Sequence, residues 1–175
     1  MKSELPFIPI DEDFSLNITI LTVLLTRLAT TNRGSYALDF EKIQALLYLI
    51  KNPAKINEIL TLAGKQYAPL DTRYTHTIES MSNNVDILFD RDKLKYLFKN
   101  MAAWGLLGCH FDEKQNSIKY YMSEKGLTFS ESLEKKSAPT EYYFDLVEII
   151  ESVATIQSQP TTKINSWLNI TFKRN

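Results

Sequence analysis

The sequence has one cysteine, Cys109, in 175 residues, which excludes an internal disulfide. With only two histidines, His76 and His110, no conventional zinc set can be assembled. Five glycines, none clustered, leave no phosphate-cradling loop, and no G-x-S-x-G nucleophile turn occurs. Cys109 and His110 are neighbours on a strand and so point to opposite faces, which excludes a thiol–imidazole pair. Twenty basic against twenty-one acidic residues give a net charge of −1, so no global field attracts nucleic acid and any such contact is a local patch. The apolar run Leu16–Leu28 is interrupted by Asn17, Thr19, Thr22, Thr26 and Arg27 and is too short to span a bilayer. MKSELPFIPIDEDF lacks the basic start and apolar centre of a signal peptide. These absences lead us to expect a cytoplasmic, non-membrane chain without cofactor or metal.

What is present is ordinary globular composition, 44% hydrophobic and 23% charged, with a generous 11% of aromatics. The expected organisation is one compact domain. It has an extended arm (1–14), an N-terminal helical lobe (15–84), a winged-helix unit (85–138) and a C-terminal helix and tail (139–175). Pro6 and Pro9 oppose helix in the arm, where Phe7, Ile8 and Ile10 need a surface, in cis or on a partner. Leu16, Ile20, Val23, Leu24 and Leu28, widened by Ile18, Leu21 and Leu25, predict a central helix buried round most of its circumference. Asp39 is placed to cap a second helix to about Asn52, Pro53 to start a third, and Gly64 to end it. Tyr67, Tyr74, Thr75, Thr77 and Ile78 favour a strand or extended crossover, with a turn at Ser82–Asn84. His76 reads as an exposed or hydrogen-bonded strand residue.

The region 90–129 predicts a helix, a hairpin and a second helix start. Leu94, Leu97, Phe98 and Met101 recur at helical spacing behind an Asp90 cap. Gly105 and Gly108 bracket Leu106 and Leu107, where the helix stops, and Asp112–Ser117 supplies a turn. Ile118, Tyr120 and Met122 alternate with Lys119, Tyr121 and Ser123 as a half-buried return strand, after which Ser123 can cap a helix to about Leu133. Glu134–Pro139 reads as a charged joint, Glu141–Gln157 as a long helix ended by Pro160, and the tail from Thr162 as one further turn. The fold class is therefore mainly α with a small β-hairpin wing, winged-helix-like.

Such a helix can enter a major groove while its wing touches phosphates. Arg91, Lys95 and Lys99 form one outward row, which Lys114, Lys119 and Lys125 could extend along the wing. Acidic neighbours Asp90, Asp92, Asp112, Glu113 and Glu124 oppose this, and only Asn100 is suited to reading a base edge. Sequence-specific reading, non-specific contact and a solvated or protein-binding face all stay open. On the Leu46–Ile50 helix, Tyr48 and Leu49 spread apolar surface beyond one core contact. Tyr142 and Phe144 flank a core-directed Tyr143, and these four residues are the candidate partner interface. Asp112-Glu113-Lys114 and Glu134-Lys135-Lys136 match part of a restriction-nuclease pattern but lack an upstream carboxylate, so an enzyme is not expected.

The segment LDFEKIQALLYLIKNP, Leu38–Pro53, resembles the L-D-x-x-K-I-Q-x-L-L-(F/Y)-L-x-x-N-P pattern of the middle component of bacterial ABC-three-component defence systems, the group that includes the Lamassu type. LKYLFKNMAAWGLL and MSEKG look like the winged half of those proteins, so the resemblance covers roughly 15–133. It implies a non-catalytic adaptor subunit working with an SMC-like ATPase and an effector, often a nuclease, against phage or plasmid DNA. The Tyr142–Gln157 helix matches no motif of that family. The alternative is a winged-helix transcription regulator, dimeric through its terminal helices.

Overall fold

In the computed structural model, residues 14–75, 90–136 and 141–173 are described. Helix α1 (Phe14–Leu28) is central, with Ile18, Ile20, Leu21, Val23, Leu24, Leu25 and Leu28 all buried. A turn closed by Gly34 N–H on Thr31 O, with Gly34 at φ +77°, returns the chain beside α1. Asp39 then caps α2 (Phe40–Lys51) by accepting from the Lys42 N–H at 2.8 Å. A 3₁₀ turn, Pro53–Lys55, leads into α3 (Ile56–Leu62). Gly64, at φ +66°, ends α3 with a paired Lys65 N–H to Leu60 O and Gly64 N–H to Thr61 O closure.

Residues 65–71 run back along α3, held by a reciprocal pair between the Asn57 amide and the Ala68 backbone. Where an extended crossover was expected at Tyr74 and Thr75, the chain forms a helical turn, α4 (Thr72–Thr75). Asp71 starts it by accepting from Arg73 N–H at 2.8 Å. The local side-chain bond outweighs the β preference of Tyr and Thr. The expected strand residues His76, Thr77 and Ile78, the Ser82–Asn84 turn and the arm before Phe14 lie outside the described residues.

Helix α5 (Arg91–Ala103) is capped by Asp90, which accepts from Lys93 N–H at 2.9 Å. It buries Leu94, Leu97, Phe98 and Met101 as the spacing required. Gly105, at φ +72°, closes it, and the chain enters β1 (Leu107–Asp112), a turn, and β2 (Ser117–Met122). The strands pair antiparallel, Leu107 opposite Met122 and Phe111 opposite Ile118. On its other edge β2 meets Leu38 and Asp39, with Tyr120 N–H donating to Leu38 O at 2.8 Å, so β1 is the outer strand of the wing.

Ser123 caps α6 (Glu124–Lys136), which runs a turn beyond the expected Leu133. Helix α7 (Glu141–Val153) and a 3₁₀ turn (Ala154–Ile156) precede α8 (Thr161–Lys173). The tail is thus a full helix rather than one turn. Its Ile164, Leu168 and Thr171 are buried, and Pro160 stands at its start instead of ending α7. Ile118, Tyr120 and Met122 do share one face of β2, but that face is buried only towards Met122 and exposed at Ile118, while on the opposite face Lys119 is buried because it reaches the partly buried carboxylate of Asp39. Among the described residues no helix is long and apolar enough to cross a membrane.

Candidate interaction cleft between α5 and the wing

Helical spacing brings Arg91, Lys95 and Lys99 onto one exposed face of α5, and the hairpin folds back beside that face. Between them lies an open cleft of about 530 Å³. Its cationic rim is formed by the three basic residues and its floor by Phe40, Phe98, Leu107 and Tyr120, with Cys109 on the wing wall. Phe98 is fixed edge-on to Phe40 at 5.7 Å and against Tyr120 at 4.8 Å, so the floor is a packed aromatic surface. The strand period puts Leu107, Cys109 and Phe111 with their partners Met122, Tyr120 and Ile118 on one face. That face grades from buried at Met122 to exposed at the tip, where Phe111 and Ile118 are about half accessible.

The cations are not equally available. Arg91 lies 3.5 Å from Glu41 and 5.2 Å over the Phe40 ring, and Lys95 lies 3.0 Å from Asp92. Among the described residues Lys99 has no ion-pair partner, leaving it the least neutralised of the row. Lys114 is exposed at the wing turn, beside Asp112 and Glu113, on a separate hollow of about 580 Å³ facing Tyr36. Lys125 donates to Trp104 O at 2.7 Å.

Lys119 leaves the proposed basic patch. It is 1% exposed, and its ammonium bonds Asp39 Oδ2 at 3.1 Å and Gln115 Oε1 at 2.8 Å. Asp39 also accepts from Thr161 at 3.2 Å, and Lys42 Nζ donates to Gln157 O at 3.0 Å. Burial alone would raise the Asp39 carboxyl, but the bonds from Lys42 N–H and Lys119, with the charges of Lys119 and Lys42, hold it below its ordinary 3.8. Burial lowers Lys42, partly offset by Asp39 and reinforced by Lys119. This polar knot fastens the wing, the start of α2 and the α7–α8 junction together. No local pattern announced it, since Asp39 and Lys119 are remote in sequence.

Tyr48 and Leu49 also leave the proposed partner interface, being 1% and 0% exposed. Helix α8 covers Tyr48, with Phe172 edge-on to it at 5.5 Å, and Leu49 lies within the hydrophobic core. Tyr142 and Phe144 do face outward, 50% and 61% exposed, while Tyr143 between them is buried. The cleft floor and the apolar wing tip were missed. The available signal was Phe111 and Ile118 flanking the polar turn in register with Tyr120. Among the described residues no group of three His, Cys, Asp or Glu could hold a metal.

No curated protein and no solved structure matches the chain. The model of the ABC-three component (ABC-3C) system Middle Component 4 family matches residues 28–166, which extends the relationship beyond the wing, through α7 and into α8. The chain belongs to the ABC-three component (ABC-3C) system Middle Component 4 family and is an accessory component of a multi-component system.

Proposed function

We propose that the chain is a non-catalytic adaptor of the Lamassu type, joining an SMC-like ATPase to a nuclease effector in defence against phage or plasmid DNA. The observation that carries this reading is the outward pair Tyr142 and Phe144 on α7, a helix whose remaining apolar stripe is spent inside the chain. Large aromatics held rigidly at a surface supply binding area at low entropic cost. Wing contact with a nucleotide- or DNA-dependent partner surface would reach α2 and the α7–α8 junction through the Asp39 knot, which gives the adaptor a mechanical route. Support also comes from membership of a component family.

A homodimeric transcription regulator would pair through its terminal helices, yet Leu146, Ile149, Ile150 and Val153 of α7 and Ile164 and Leu168 of α8 are already buried. The test is purification of the tagged full chain from its own host. Retention of a large ATPase and a nuclease encoded beside it is the expected result. Elution alone as a dimer that shifts its own promoter DNA would overturn the reading.

A further inference from the structure

We propose that the chain's own residues 1–13 dock into the cleft between α5 and the wing, covering its aromatic floor and neutralising its cationic rim. Residues 1–13 lie outside the described residues, and the inference rests on their composition and on the site that awaits them. MKSELPFIPIDED carries four acids against one lysine, three of them consecutive at Asp11–Asp13, preceded by Phe7, Ile8 and Ile10. The cleft has the complementary order: Lys95 and Lys99 on its rim, then Phe98, Leu107 and Tyr120 below. An acidic-apolar segment matches such a surface better than a nucleic-acid backbone does, because Glu41 and Asp92 already partly neutralise Arg91 and Lys95, and the floor is hydrocarbon.

The tether fits. Phe14, the first residue of α1, packs edge-on to Tyr96 at 5.9 Å and Trp104 at 5.8 Å, so α1 begins beside α5. Helical period puts Lys99 between Tyr96 and Lys95 on the surface of α5, so the rim cations lie on the path from the start of α1 to the cleft. Thirteen extended residues reach about 40 Å, ample to cross the helix and place Phe7 and Ile8 over the floor. Docking needs no other protein, so it stands or falls separately from the adaptor reading.

Cys109, the sole cysteine, is exposed on the cleft wall and reports occupancy directly. N-ethylmaleimide should label Cys109 of the full chain about tenfold more slowly than that of a chain lacking residues 1–13, since a tethered segment acts at millimolar effective concentration. Synthetic MKSELPFIPIDED should slow the truncated chain again. If truncation abolishes cooperative melting, full-length variants decide. Asp11→Lys/Asp13→Lys and Lys95→Glu/Lys99→Glu should each speed labelling, and the combination should restore protection. The Glu pair alone would slow a cysteine through its charge, so acceleration identifies release of the arm. Equal rates with and without residues 1–13, or with and without the charge reversals, would overturn the inference. So would protection that grows with protein concentration, which indicates a second copy, or protection that duplex DNA but not the arm confers.

Discussion

The ammonium of Lys119 lies 3.1 Å from Asp39 Oδ2, joining the return strand of the wing to the N-cap of a helix eighty residues earlier. Lys119 is 2% exposed at its side chain and Asp39 20%, so the pair is screened little by solvent. Removing one partner strands the other. Asp39→Ala is expected to cost about 3 kcal/mol through the uncompensated lysine and the lost cap. The double variant Asp39→Ala/Lys119→Met should recover much of that loss. Urea denaturation of the cycle tests it, and additive single effects would show that the pair contributes no coupling.

The same carboxylate gives a pH dependence. Asp39 titrates below 3.8 when folded and near 3.8 when unfolded, so below that value the unfolded chain binds the extra proton. Its contribution is therefore complete above about pH 4–5 and is lost as pH falls through the folded value. Acid titration of stability should be shallower in Asp39→Asn than in the native chain. Identical slopes would remove Asp39 from the acid response.

The local rules were readable and the long-range ones were not. Caps at Asp39, Asp90 and Ser123, stops at Gly64 and Gly105, and the apolar stripe of α5 followed from adjacent residues. The outward set of Arg91, Lys95 and Lys99 followed from helical period alone. Lys119 and the pair Tyr48 and Leu49 failed because burial depends on what packs from elsewhere in the chain. Asp39 draws the lysine inward, Phe172 of α8 covers Tyr48, and Leu49 sits in the shared core. Pro160 read as a stop, whereas a proline before a helix equally serves as its start.

The Met-Ser-Glu-Lys-Gly stretch has a structural explanation. Ser123 donates to Gly105 O at 2.6 Å, and a Cβ on Gly126 would meet Leu106 O at 2.2 Å. Backbone cannot yield as a flexible side chain can. Gly126→Ala should destabilise the chain by about 3 kcal/mol through overpacking, whereas Gly34→Ala meets open space and pays only for its positive φ. Thermal melts of the two separate these causes, and an unaffected Gly126→Ala would mean that α6 shifts freely.

The four proposed interface residues now divide. Leu49→Ala should cost about 3 kcal/mol as a core truncation. Tyr142→Ser/Phe144→Ser should change stability by less than about 1 kcal/mol while weakening retention of the partner components in the pull-down. Unchanged retention would move the interface away from α7, towards the wing tip at Phe111 and Ile118.

Duplex DNA should bind the isolated chain weakly. Three phosphate contacts, from Arg91, Lys95 and Lys99, give a slope of log affinity against log salt of about −3. Glu41 and Asp92 already neutralise two of these cations in part, so Lys99 should contribute most. Lys99→Glu should therefore abolish much of the binding at low salt, while Lys119→Met, altering an ammonium that never reaches solvent, should leave it unchanged. Fluorescence anisotropy over a salt series measures both. A slope much steeper than −3, or a loss on Lys119→Met without loss of fold, would mean that phosphates are held by a surface other than the α5 row.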